Sequence, residues 1–214
     1  MTLKKRERGL ISSISPASTI SEQYRAIRTN IHFSSVDHKY RTLLITSPGL
    51  GEGKSTTTTN LAISMVQQGA KVLVIDADLR KPTLHTTFNI DNTTGLANIL
   101  RRETTLTEAV NRTEIEGLEI ITSGPVPSNP AELIGSQALD ELIGTAQEHY
   151  HIVLFDSSPV LEVTDARILA NKCDGVILVL CNGKTKSEMA VEAKRLLELV
   201  KAKCIGAIFN QKSK

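Results

Sequence analysis

The stretch Ser47-Pro48-Gly49-Leu50-Gly51-Glu52-Gly53-Lys54-Ser55-Thr56 sets glycines, a lysine and hydroxyl residues in the order a phosphate-binding loop requires. Glycines let backbone N–H groups turn inward around an anion, which then sits at the N-terminus of the following helix. In such a loop Lys54 reaches the β- and γ-phosphates and the Ser55 hydroxyl binds Mg²⁺. Against the pattern G-x-x-x-x-G-K-[ST], Pro48 replaces the first glycine, while Gly49 and Gly51 keep the loop glycine-rich. Gly49, Gly51, Glu52, Gly53, Lys54, Ser55 and Thr56 are therefore the expected nucleotide-binding residues.

Mg²⁺ prefers oxygen ligands and keeps several waters, so a Mg²⁺–ATP site also needs one or two carboxylates near the phosphates. Two apolar runs end in aspartate, Val72-Leu73-Val74-Ile75-Asp76 and Ile152-Val153-Leu154-Phe155-Asp156. Strands often end in Asp at a turn, but behind a phosphate loop these residues point to metal or water positioning. Asp78 follows Asp76 at a spacing of two, which places both on one side of an extended chain. Asp76, Asp156 and Ser55 are the expected metal ligands, and Asp78 is the candidate to accept a proton from an attacking hydroxyl. Arg80 and Lys81 either add positive charge near a transferred phosphoryl group or lie on a solvated loop.

The elements that must hold these residues alternate between strand and helix. Strand candidates are 43–46, 72–76, 118–122, 152–156, 175–180 and 204–209, all strongly apolar. Helical stretches are expected over 21–33, 56–68, 95–100 with 106–110, 130–149, 164–170 and 186–200, with Ser18 or Thr19 near the start of the first. Near-continuous apolar strands suit a parallel sheet covered on both faces, so the expected class is α/β, with a doubly wound, mostly parallel sheet in three layers. Residues 1–18, with Lys4, Lys5, Arg6 and Arg8 before a Ser/Pro stretch, read as a flexible basic arm ahead of a domain over 19–214. That arm is either a solvated tail or loosely attracted to an anionic membrane or acidic partner. Asn210, ending the last strand, is a candidate to touch the adenine.

With 214 residues, 40% apolar and 22% charged, the chain fits one soluble globular domain. A net charge of +2 gives no global field for nucleic acid, which is not an expected partner. No apolar run approaches the roughly 20 residues of a membrane span and no signal-peptide core is present, so a cytoplasmic location is expected. Three widely spaced cysteines, Cys173, Cys181 and Cys204, read as reduced thiols. Asn171-Lys172-Cys173-Asp174 spells a guanine-reading motif but precedes an apolar strand, so it is expected to be a helix end and turn.

The phrases Glu22-Gln23-Tyr24-Arg25-Ala26-Ile27-Arg28, the phosphate loop, Ile75-Asp76-Ala77-Asp78-Leu79-Arg80-Lys81-Pro82 and Phe155-Asp156-Ser157-Ser158-Pro159 together resemble one family. It is the bacterial tyrosine kinases that control capsule and exopolysaccharide synthesis. Ser123-Gly124-Pro125 and Asn129-Pro130-Ala131-Glu132-Leu133 extend the likeness to roughly residues 18–210. The resemblance implies a P-loop NTPase fold and transfer of the ATP γ-phosphoryl group to protein tyrosine, with Lys54, Asp76, Asp78 and Asp156 catalytic. It implies that Glu22, Arg25 and Arg28 build a ring-shaped homo-oligomer. It further implies a membrane-anchored polysaccharide co-polymerase adaptor, whose cytoplasmic tail activates the kinase and recruits it to the inner membrane face. Read from spacing alone, Glu22 and Arg25 are neighbours on one helix, worth about 0.2–0.5 kcal/mol as a pair.

One departure stands out. Such kinases usually end in a tyrosine cluster, whereas the three tyrosines here are Tyr24, Tyr40 and Tyr150. Autophosphorylation on a C-terminal tail is therefore not expected of the chain as given. Two other readings stay open: a nucleotide-switch ATPase of the partition and division-site class, and a non-catalytic ATP-binding regulator of polysaccharide export. The first usually carries an early loop lysine where this chain has Gly49.

Overall fold

The computed structural model describes residues 9–34 and 39–211. In chain order the elements are α1 (Ile11–Ile14), α2 (Thr19–Phe33), β1 (Thr42–Thr46), α3 (Lys54–Val66), β2 (Val72–Asp76), α4 (Leu84–Phe88), α5 (Leu96–Leu100) and α6 (Leu106–Ala109). There follow β3 (Val110–Arg112), β4 (Leu118–Ile121), α7 (Pro130–Gly135), α8 (Gln137–His149), β5 (Ile152–Asp156), α9 (Asp165–Lys172), β6 (Gly175–Cys181), α10 (Ser187–Leu199) and β7 (Cys204–Asn210). The seven strands form one sheet in the order β3-β4-β2-β5-β1-β6-β7, parallel except for β3 against β4.

Alternation along the strands builds two cores, one on each face. In β1, Leu44 packs with Leu73, Phe155 and the α5, α8 and α9 residues Leu96, Leu139 and Leu169. Its neighbours Leu43 and Ile45 face the other way, onto Tyr24 of α2 and Leu61 of α3. This is the expected three-layer α/β arrangement. The sheet ends in β7, whose residues are half-buried or exposed.

Four local features differ from the sequence expectation. Residues 11–14 do not form an extended arm: Ile11 is buried, the Ser12 N–H donates to Asn60 Oδ1 at 2.8 Å, and Gln67 Nε2 donates to the Ser12 carbonyl at 2.9 Å. An apolar side chain and a set of met backbone groups hold this segment onto α3; the basic residues Lys4 to Arg8 lie outside the described residues. The helix expected to run to 110 stops at Ala109, and Val110–Arg112 pairs antiparallel with β4. The stretch 130–149 is two helices, because Ser136 is extended (φ −72°, ψ 158°) between them. Finally, α4 is an added short helix beginning at Leu84.

Smaller shifts concern helix ends. Helix α2 starts at Thr19, where the Ser18 hydroxyl accepts the Ser21 N–H at 3.2 Å, an N-cap contact. The Asn171–Asp174 stretch is a helix end and turn, as expected. There Asp174 Oδ2 accepts the backbone N–H groups of Arg41 and Thr42, each at 2.8 Å, and latches the start of β1. All three cysteines are free.

Candidate active site

The loop between β1 and α3 is held by its own Glu52 and by side chains from β7 and the turn after β6. Gly51 (φ +65°) and Gly53 (φ +98°) take left-handed conformations that side chains disfavour. A Cβ on Gly53 would sit 1.9 Å from Asn210 Nδ2, so this position tolerates only glycine. The buried Glu52 carboxylate turns back into the loop, accepting the Gly49 N–H at 3.0 Å and the Thr185 hydroxyl at 2.5 Å. Asn210 Nδ2 donates to the Glu52 carbonyl at 3.0 Å, and Lys184 Nζ donates to the Leu50 carbonyl. Asn210 therefore braces the loop with its amide nitrogen. Helix α3 starts at Lys54, so its first N–H groups and the positive end of its dipole face the loop.

Asp76 and Asp156 end adjacent strands and are direct partners in the register of β2 and β5. Parallel strands lie about 4.8 Å apart, so the two carboxylates are near neighbours. Both residues are buried. Asp76 Oδ2 accepts the N–H groups of Thr83 and Leu84, each at 3.0 Å. Asp76 Oδ1 and both Asp156 oxygens are buried without hydrogen-bond partners among the described residues. Burial pushes the Asp156 carboxyl up to about 7, against the pull of the Lys54 ammonium and the nearby Ser55 hydroxyl. Burial, then the Asp156 charge, raises Asp76 well above the usual carboxylate range.

Unpaired buried carboxylate oxygens are costly unless a cation completes them. Lys54 is buried beside Asp156, and the Ser55 hydroxyl accepts from Thr83 Oγ1 at 2.9 Å. Among the described residues no three His, Cys, Asp or Glu side chains group as a self-sufficient metal site. Two carboxylates and a hydroxyl nevertheless suit Mg²⁺, which takes its remaining ligands from water and phosphate. The residues present thus fit the ion.

Asp78 is 8% exposed, and one of its oxygens accepts the Lys81 N–H at 3.1 Å. Arg80 is exposed but not free. It makes a two-point ion pair with the buried Asp165, at 2.8 and 3.1 Å. Glu22 and Arg25 pair within α2 at 3.0 Å; Arg25 also donates to the Pro16 carbonyl and Arg28 to that of Ser64. Sequence reasoning missed Thr83, Asp165, Lys184 and Thr185, since none carries a motif. The only signal was position: each follows the C-terminal end of a strand, where such sheets bind ligands.

Comparison with known proteins gives this geometry relatives. Residues 40–202 match the family described as "AAA domain". The tyrosine-protein kinase YwqD of Bacillus subtilis is 50% identical over 206 residues, covering 96% of this chain and 87% of its own length. The tyrosine-protein kinase CpsD of Streptococcus agalactiae serotype Ia is 38% identical, covering 94% and 87%. Among solved structures, the chimerical protein CapA2B2 superposes with a TM-score of 0.92 at 39% identity, covering 96% of this chain and 91% of that one. The septum site-determining protein MinD of Pyrococcus horikoshii, complexed with Mg-ADP, superposes at 0.68 with 25% identity, covering 79% and 70%.

Proposed function

This chain belongs to the bacterial tyrosine-protein kinases, and we propose that it transfers the γ-phosphoryl group of ATP to protein tyrosine in the control of capsular and exopolysaccharide synthesis and export. One observation carries the chemistry: two register-paired buried aspartates, with three unmatched oxygens, stand beside Lys54 behind a glycine loop.

In this reading the loop N–H groups and Lys54 bind the phosphates and neutralise charge that develops in transfer, which is most of what phosphoryl transfer needs. Ser55, Asp76 and Asp156 would hold Mg²⁺, whose chemistry is to polarise the γ-phosphoryl group and screen its charge. Asp78 orients the tyrosine hydroxyl and takes its proton. Arg80, fixed by Asp165, holds the 78–82 turn in place. Asn210 supports the loop from β7.

Among the described residues no helix is long and apolar enough to cross a membrane. In this reading a membrane-anchored adaptor recruits the chain and its cytoplasmic tail completes the site, while Glu22, Arg25 and Arg28 join copies into a ring. The family resemblance supports both assignments. The test is phosphotyrosine formation on a tyrosine-bearing protein with ATP and Mg²⁺, with and without an adaptor-tail peptide. Transfer that rises with the peptide is expected. ATP hydrolysis with no phosphotyrosine under either condition overturns the kinase reading in favour of a switch ATPase.

A further inference from the structure

We propose that Tyr40 is a phosphate acceptor modified by a second copy of this chain; the inference rests on the proposed kinase function. The three tyrosines differ sharply in what they offer a kinase. Tyr24 and Tyr150 are 7% and 5% exposed, and the Tyr150 hydroxyl donates to Glu119 Oε2 at 2.5 Å. Tyr40 is half-buried by its ring, between the exposed Lys39 and Arg41. Its hydroxyl makes an exposed bond to the Ser34 carbonyl at 3.4 Å, long for an O–H donor. It is the tyrosine whose oxygen can be withdrawn at little cost.

Tyr40 lies two residues before β1, and the phosphate loop lies just after it. Five strand residues span roughly 17 Å, so this hydroxyl stands at the far end of the sheet from its own loop. The phosphoryl donor must then be ATP held by another copy. Tyr40 Oη attacks the γ-phosphorus, and the bond from phosphorus to the β–γ bridging oxygen breaks. Its electron pair leaves on ADP, and the phenolic proton passes to Asp78 of the donor copy and on to water.

The surroundings of Tyr40 suit the product. It lines a cavity of about 420 Å³ together with Arg28, His32 and His151. Lys203 Nζ sits 4.9 Å from the centre of its ring. Arg28 keeps a buried Nε with no partner among the described residues. A phosphotyrosine carries about −1.5 to −2 charge and strong acceptor oxygens, which the Arg28 guanidinium in this cavity can meet.

The experiment mixes wild-type chain with a mass-tagged Lys54→Met acceptor chain, ATP, Mg²⁺ and a synthetic glutamate–tyrosine copolymer as an independent substrate. Mass spectrometry of the acceptor is expected to find phosphate on Tyr40, with incorporation at least tenfold lower in the Lys54→Met/Tyr40→Phe acceptor. The phosphorylated acceptor is expected to melt at a higher temperature than the unmodified one; a lower midpoint would overturn the cavity as the phosphate's seat. A phosphorylated copolymer beside an unmodified Tyr40 overturns this inference and leaves the kinase function standing. No phosphate on either removes the kinase function, and this inference with it.

Discussion

Asp76 Oδ1 and the two oxygens of Asp156 are the least satisfied atoms of the site, and that cost is what makes it receptive to a cation. Both carboxyls are raised in the folded chain, Asp156 to about 7, whereas an unfolded aspartate titrates near ~3.9. The folded state therefore binds protons more tightly. The contribution of these two carboxyls to nucleotide-free stability is fully present below about pH 4 and is lost as the pH rises towards about 7. Urea unfolding of the nucleotide-free protein should show a midpoint falling between pH 5 and 7.5, while the stabilisation by Mg²⁺ and ADP grows over that interval. A nucleotide-free midpoint that rises over the same range contradicts the assignment. Asp156→Asn removes one of the two charges without changing shape. It should raise the metal-free melting temperature at pH 7.5 and abolish the added shift from Mg²⁺–ADP, read by the same thermal scan in both states.

At the scale of elements, the loop is clamped from strands distant in sequence. Gly53→Ala should eliminate nucleotide binding and cost on the order of 1–3 kcal/mol of stability through strain at φ +98°, beyond the clash with Asn210. Adding Asn210→Gly should relieve the clash and leave the strain, a partial rescue measurable by denaturant unfolding. Arg80→Ala should lower stability by about 2 kcal/mol, because it leaves the buried Asp165 carboxylate without its partner. An unchanged midpoint would show that the pair does not hold the 78–82 turn.

The same elements show what a sequence can disclose. Strands β1, β2, β5 and β6 were legible because helices cover both their faces, leaving apolar runs that end where the ligands gather. The loop glycines, Lys54 and the two strand-end aspartates were legible for a related reason: their chemistry depends on local spacing. Strand β3 was not, since three residues, Val110-Asn111-Arg112, owe their conformation to pairing with β4. The break at Ser136 interrupts a stretch whose apolar spacing stays helical on both sides. Arg80 was ambiguous because its partner lies 85 residues away, a contact that only the folded sheet creates.

For the whole molecule, the strand order explains why one site forms. With β1 between β5 and β6, the loop after β1 opens beside Asp156, and β2 lies beyond it with Asp76 and Asp78 at its end. Two cores fix this frame from both faces, and α1 extends one of them: burying Ile11 is worth on the order of 1.5–3 kcal/mol. A frame of this kind is shared by tyrosine kinases and by the cell division ATPase MinD. What separates the two is where the phosphate goes. The most direct measurement is therefore phosphate transfer to a tyrosine-bearing protein, with an adaptor-tail peptide present, compared between wild type and Lys54→Met with ATP and Mg²⁺. Phosphotyrosine is expected from wild type and at least a hundredfold less from Lys54→Met, a loss of about 2.7 kcal/mol or more of transition-state stabilisation. ATP consumption without phosphotyrosine, or equal transfer by the two proteins, would contradict it.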